Sequence, residues 1–181
     1  HNNVGFSELL GEILDLDGDF RVRVSSIEPD SGTRTGSWES GFLNLVNHPK
    51  LCPHLHLCVQ SGSDRILEAM DRRYGVSDIV ETVKALRERR ADFNFTTDVM
   101  VGFPGESEED FSQTLQLIEE VGFSHIHTFP FSVRPGTAAA DLGSRFPHVR
   151  YEEKARRAKE VREISAIQKR RYRESFIGKS Q

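Results

Sequence analysis

Cysteine is scarce. The 181 residues contain two, Cys52 and Cys58, with five residues between them. Two thiols cannot make a disulfide framework, and their spacing is too long for the Cys-x-x-Cys pair of a redox or zinc site. They read as inert thiols of a cytoplasmic protein. No apolar run approaches the roughly 20 residues of a membrane-spanning helix, so no membrane association is expected. The first fifteen residues lack the basic start and apolar core of a secretory leader. His-Glu-x-x-His, internal repeats and low-complexity tracts are also missing, which removes the commonest zinc-hydrolase signature and the solenoid folds.

What is present describes an ordinary folded domain, or most of one, with 36% apolar and 29% charged residues. The net charge of −4 hides an asymmetry. Arg150 to Gln181 holds eleven Lys/Arg against five Asp/Glu, which leaves the first 149 residues near −10.

Thr96-Thr97-Asp98-Val99-Met100-Val101 reads as a strand that runs into Gly102-Phe103-Pro104-Gly105, a turn in which glycine accepts positive φ and proline sets its own. Ser107 is placed as the N-cap of the next helix, with Glu108, Glu109 and Asp110 complementing the dipole of its first turn. The same strand, loop, helix unit recurs. Apolar spacing gives a helix over Gly5–Asp15, and Phe20–Glu28 reads as a first strand stopped by Pro29. Ser31–Gly41 is a loop with room for a helical turn at Trp38 and Glu39, followed by a brief helix over Phe42–Val46. The second strand, Leu55–Gln60, alternates: Leu55, Leu57 and Val59 point one way, while His54, His56, Cys58 and Gln60 point the other. Ile66, Leu67 and Met70 mark a helix, and Ser77 is expected to cap another over Asp78–Arg90. Phe93–Phe103 forms the third strand, with Asn94, Thr96, Asp98 and Met100 on one face. A helix through Phe111, Leu115, Ile118 and Val121 ends at Gly122, and His125–Phe131 is the fourth strand. Arg134–Thr137 is a turn and Ala138–Pro147 a loop. Tyr151–Phe176 is a long basic helix with Ala155, Ala158, Val161, Ile164 and Ile167 along one face.

Strand starts near residues 20, 54, 93 and 125 give one strand and one helix per unit, the pattern of an α/β protein with parallel strands and right-handed crossovers. The expected architecture is a partial (β/α) TIM-like barrel over 1–150, or an open sheet, with the polar faces of the second and third strands inward. Two or more leading strands would lie outside this chain, which then reads as part of a larger protein. In such folds ligands sit at the carboxyl ends of strands.

Several constellations carry chemistry. Asp98, at a strand end, is placed to accept both hydroxyl protons of a ribose; the plainer alternative is an aspartate that holds the turn. Gln60-Ser61-Gly62-Ser63-Asp64 offers hydroxyls and helix-terminal N–H groups to a carboxylate or ribose, against simple capping by Ser63 or Asp64. Val99 or Val101 would pack on a purine beside the glycine turn. His54-x-His56 and His125-x-His127 have metal-ligand spacing, and with Asp98 they would serve a metal-dependent hydrolase. Lys169-Arg170-Arg171-Tyr172-Arg173 contains no acid and suits phosphate contact, the single feature that favours a non-catalytic RNA-binding module.

Four segments together resemble the radical S-adenosylmethionine tRNA methylthiotransferases. They are Arg23-Val24-Ser25-Ser26-Ile27-Glu28-Pro29, His56-Leu57-Cys58-Val59-Gln60-Ser61-Gly62-Ser63-Asp64, Thr97-Asp98-Val99-Met100-Val101-Gly102-Phe103-Pro104-Gly105-Glu106 and Phe129-Pro130-Phe131-Ser132-Val133-Arg134-Pro135-Gly136-Thr137. The first and last look most like the branch acting on N6-threonylcarbamoyladenosine beside the anticodon. The resemblance runs from about Gly5 to Gly178. It implies the carboxyl-terminal part of a radical SAM barrel, with adenosylmethionine across the strand ends. Gln60, Ser61 and Ser63 would lie near its methionine and ribose portions, Asp98 near the ribose, and Val99 with Phe129 near the adenine. Met70-Asp71-Arg72-Arg73-Tyr74 matches the family's Met-x-Arg-x-Tyr region; its Arg72 and Arg73, with Arg134 and the basic run Lys169, Arg170, Arg171 and Arg173, would face cofactor carboxylate or tRNA phosphate.

The implied reaction is reductive cleavage of adenosylmethionine at a 4Fe-4S cluster fed by an electron donor. Hydrogen abstraction by a deoxyadenosyl radical and methylthio insertion at adenine carbon 2 would follow. One departure stands out. Members ligate the cluster through Cys-x-x-x-Cys-x-x-Cys, which does not occur here, so this chain is expected neither to bind a cluster nor to turn over by itself. Residues 151–181 would lead toward an RNA-binding domain outside the chain.

Overall fold

The computed structural model describes residues 5–29, 38–134, 136 and 146–178. Residues 31–37 of the expected Ser31–Gly41 loop, and most of the Arg134–Thr137 turn and the Ala138–Pro147 loop, lie outside the described residues.

Three strands form a parallel sheet in sequence order: β1 (His54–Gln60), β2 (Asn94–Val101) and β3 (His125–Pro130). Helices α1 (Phe6–Asp15), α2 (Trp38–Leu45), α3 (Asp64–Ala69), α4 (Val76–Arg89), α5 (Glu108–Val121) and α6 (Tyr151–Glu174) fill the chain between and around them. The two short helical readings around residues 38–46 are thus one helix. Alternation decides which face of the sheet is covered. Leu55, Leu57, Val59, Phe95, Val99, Val101 and Ile126 are buried in the main core with Val83, Leu86, Phe111, Ile118, Ala158 and Val161 of the helices. Each large apolar side chain so buried contributes about 1.5–3 kcal/mol. The opposite face carries His56, Cys58, Asp98, His127 and Phe129 and is only partly covered, as the inner face of an incomplete barrel should be.

The segment 20–28 is not a regular strand. It touches the β1 side at two isolated parallel bridges, Val22 with Leu51 and Ile27 with Leu57. Between them Ser26 has φ of 23°, a conformation that interrupts a ladder. The start of α4 also differs from expectation. Its N-cap is Gly75, whose N–H donates to Asp78 Oδ2 (2.8 Å), while the Val76 N–H donates to Asp64 Oδ1 (2.7 Å). With both orphan donors satisfied by carboxylates, Ser77 is not needed as a cap.

Ser107 caps α5 as expected. It accepts the Asp110 N–H, and Asp110 accepts the Ser107 N–H in return. Gly122 closes that helix at φ 64°. Helix α6 belongs to the same core: Ala158 and Val161 are buried in it, and Ser165 Oγ accepts the Ile126 N–H at 3.0 Å. The free edge of β3 is therefore covered by a helix, and one of its donors is satisfied by a helix side chain.

Candidate nucleoside-binding cleft

The carboxyl ends of the three strands open into a cleft of about 650 Å3 lined by Gln60, Asp98, Met100, Phe129, Phe131 and Arg134, among others. Each reaches it for a local reason. Gln60 ends β1 with φ of 65°, next to a register shift between Leu57 and Gln60, so the strand turns out of the sheet there. Asp98 and Met100 are successive inner-face positions of β2, and Phe129 is an inner-face position of β3 paired in register with Met100. The floor is apolar: Phe103 meets Phe131 edge-on at 5.3 Å, and Met100 packs with them and Ile66. Phe129 remains 45% exposed, a large aromatic face open to the cleft beside a carboxylate.

Asp98 is backed by a polar chain through the inner face. Arg23, which can only donate, faces both nitrogens of His54, with Nε 3.1 Å from Nδ1 and Nη2 3.0 Å from Nε2. His54 Nε2 also lies 3.1 Å from Thr96 Oγ1. Thr96 Oγ1 is 2.9 Å from His56 Nδ1, and His56 Nε2 is 3.3 Å from Asp98 Oδ1, a carboxylate oxygen that accepts, so Nε2 carries a proton. Burial, then Arg23, then His56 lower the His54 pKa to about 4, so this imidazole is neutral.

The glycine turn is held from α6. Arg157 Nη1 donates to Glu106 Oε2 at 2.6 Å with both side chains buried, and the same oxygen accepts the Gly102 N–H at 2.5 Å. Lys154 Nζ donates to the Phe131 carbonyl (3.0 Å) at the cleft floor. A Cβ on Gly102, at φ 74°, would lie 2.4 Å from Lys154 Cγ. The close approach that this glycine permits is thus to a lysine of the chain itself. Neither Arg157 nor Lys154 was visible as a site-holding residue in sequence, since their partners lie some 20 to 50 positions away.

Other expected site residues are placed differently. Val99 and Val101 are fully buried in the main core, on the other face of β2, and neither lines the cleft. Ser63 caps α3 and donates to Asp110 Oδ1 (2.7 Å), and Ser61 Oγ lies 3.4 Å from Thr114 Oγ1. Both are buried against α5 and do not line the cleft. Burial alone would raise the Asp110 pKa, but hydrogen bonds from Arg65, Ser107 and Ser63 hold it well below the usual carboxylate range. Arg72 is paired with Glu28, whereas Arg73 is exposed. Lys169, Arg170, Arg171 and Arg173 lie on the last turns of α6, toward the opposite end of the sheet from the cleft.

The metal-hydrolase reading fails. Among the described residues no group of three or more His, Cys, Asp or Glu could hold a metal ion. The physical reason is that His54 and the Nδ1 of His56 are engaged by Arg23 and Thr96, and His125 stacks edge-on against His127 at 4.5 Å.

Fold and site together define a partial (β/α) barrel with a carboxylate, an amide and an exposed aromatic face side by side at the strand ends. The comparisons narrow this: residues 4–118 match the family model described as the Radical SAM superfamily, and the chain belongs to that family. It is 43% identical over 173 residues to a threonylcarbamoyladenosine tRNA methylthiotransferase of Thermotoga maritima, covering 96% of this chain and 38% of that protein. It is 42% identical over 158 residues to a tRNA-2-methylthio-N(6)-dimethylallyladenosine synthase of Thermobifida fusca, covering 87% and 31%. The chain therefore spans about a third of the length of these relatives. In structure it is similar to coproporphyrinogen III oxidase (HemN) of Escherichia coli, with a TM-score of 0.61 at 15% identity over 90% of this chain and 36% of that one. It is also similar to the archaeal Elp3 of Methanocaldococcus infernus, with a TM-score of 0.56 at 21% identity over 72% and 30%. These likenesses bear out the partial-barrel fold.

Family membership implies adenosylmethionine and a 4Fe-4S cluster. The cleft fits the first: its volume lies in the range of small-molecule sites, and it joins a carboxylate and an amide to an exposed aromatic. The chain does not fit the second, because two cysteines cannot supply three thiolates.

Proposed function

We propose that this chain is the adenosylmethionine-holding part of a tRNA methylthiotransferase acting at carbon 2 of a modified adenosine, of the N6-threonylcarbamoyladenosine branch. The observation that carries the reading is the meeting of Gln60, Asp98 and Phe129 in one cleft at the strand ends. The Asp98 carboxylate accepts the ribose hydroxyls, Phe129 offers its face to the adenine, and Gln60 faces the polar methionine end. The Arg157–Glu106 pair keeps the glycine turn in place, and the hydrogen-bonded series behind Asp98 keeps its carboxylate oriented. Bound there, adenosylmethionine supplies the radical chemistry that opens an unactivated carbon–hydrogen bond. The cluster ligands are not among these residues, so the isolated chain does not turn over. tRNA is the substrate and an electron donor the second partner, both in the cytoplasm. No helix among the described residues is long and apolar enough to cross a membrane.

The test is calorimetric titration of adenosylmethionine into the cluster-loaded enzyme and its Asp98→Asn variant. A tenfold or larger loss of affinity with cluster content unchanged supports the assignment. Unaltered affinity removes Asp98 from the site.

A further inference from the structure

At the amino-terminal end of the sheet, away from the cleft, an open cavity of about 1110 Å3 lies among Arg21, Arg87, Arg90, Asp92, Tyr172 and Arg173, with Phe176 beside them. We propose that this cavity binds a single-stranded segment of RNA, its phosphates held by the arginines and one base against Tyr172.

A plainer reading is that the arginines serve the helix ends. Arg87 Nη1 donates to the Val121 carbonyl at the end of α5, and Arg90 Nη1 to the Val46 carbonyl just past α2. That reading covers part of the charge. A guanidinium has five N–H donors, and Arg87 uses one while Arg90 uses two, the second on Asp92. The guanidinium groups of Arg21 and Arg173 are exposed and have no hydrogen-bond or ion-pair partner among the described residues. Asp92 is the one acid among the residues lining the cavity, and Arg90 already holds it. The concavity thus carries an excess of positive charge in a chain whose net charge is −4.

Two further observations point to nucleic acid over a small anion. Tyr172 and Phe176 meet edge-on at 4.9 Å and present aromatic surface among the cations, the pairing of stacking platform and charged groove that single strands use. Arg170 and Arg171, directly before Tyr172 on α6, are also exposed, so positive charge flanks the cavity as well as lining it. The inference does not rest on the adenosylmethionine reading, which concerns the other end of the sheet.

The experiment measures binding of a fluorescently labelled, unstructured RNA 12-mer to the full 181-residue chain by anisotropy, from 50 to 200 mM salt. Arg21→Gln/Arg173→Gln should lower affinity about tenfold at 50 mM salt and reduce the log–log salt slope by about 1.4, at roughly 0.7 per single-strand phosphate contact. Tyr172→Ala should weaken binding with the slope unchanged, and Arg162→Gln, exposed elsewhere on α6, should leave both unchanged. Affinity of the double variant within twofold of wild type overturns the proposal. So does an equal loss in Arg162→Gln, which would mark unspecific surface charge. AMP or ADP binding as tightly as the 12-mer overturns the RNA assignment in favour of a nucleotide pocket. Because adenosylmethionine plays no part in the readout, failure here leaves the cleft assignment standing, and the converse holds.

Discussion

His56 Nε2 lies 3.3 Å from Asp98 Oδ1, and the same imidazole turns its Nδ1 to Thr96 Oγ1 at 2.9 Å. Thr96 Oγ1 also lies 3.1 Å from His54 Nε2, and Arg23 faces both nitrogens of that imidazole. The carboxylate at the strand end is therefore oriented by a line of side chains from two adjacent strands and the segment before them.

Thr96→Val removes the hydroxyl while keeping the shape, and it leaves His56 Nδ1 without its partner while His54 keeps Arg23. The expected result is a three- to tenfold weaker adenosylmethionine affinity. A shift of the His56 tautomer equilibrium, read by nitrogen NMR, should accompany it. A change in affinity with the tautomer unmoved would mean that the line does not act through His56.

Acid should weaken the fold through His54. Its folded pKa is lowered to about 4 against 6.5 for the free side chain. Below pH 6.5 the unfolded chain therefore takes up a proton that the native state refuses, and stability falls as the pH drops from about 6.5 to 4. Urea titrations across this window should show the loss, and His54→Gln should flatten it. An equal slope in the variant would assign the acid sensitivity elsewhere.

The Arg157–Glu106 pair is buried on both sides, so removing one partner strands a charge. Arg157→Met is expected to cost about 3–5 kcal/mol in urea unfolding. The double variant with Glu106→Gln should cost clearly less than the sum of the two single changes. Additive losses would mean that the two side chains do not share one interaction.

Gly62 sits where β1 turns toward α3 against α5. A Cβ there would lie 2.5 Å from Thr114 Cα and 2.7 Å from the Gln113 carbonyl oxygen, both backbone atoms that cannot yield. Gly62→Ala should cost about 1–3 kcal/mol or more, as overpacking does, measured by thermal unfolding. A neutral effect would place the loop further from α5.

Much of the fold was legible because it is written in local periods. The alternation of β1 and β2 separated the inner and outer faces, and Ser107 and Gly122 marked the ends of α5. The meeting of Gln60, Asp98 and Phe129 followed from parallel register. What escaped the sequence depends on distant partners. Ser63 looked available to a ligand because its acceptor, Asp110, lies 47 residues on. Ser77 looked like a cap because Asp64 reaches the Val76 N–H from twelve residues back. Val99 was assigned to the adenine beside Asp98, although neighbouring residues of a strand face opposite ways and its side chain belongs to the helix-facing core. The segment 20–28 has the composition of a strand, but the Ser26 conformation limits it to two bridges.

Helix α6 runs 24 residues, about 36 Å at 1.5 Å per residue, and it is employed at both ends. Near its start Arg157 grips the turn beside the cleft, and near its finish Tyr172 and Arg173 form a wall of the opposite cavity. Sliding this rod by a single pitch would withdraw Arg157 from Glu106 and displace Tyr172 in the same stroke. The two ends of the sheet therefore share one mechanical setting, and whatever fastens the helix at one end fixes its register at the other.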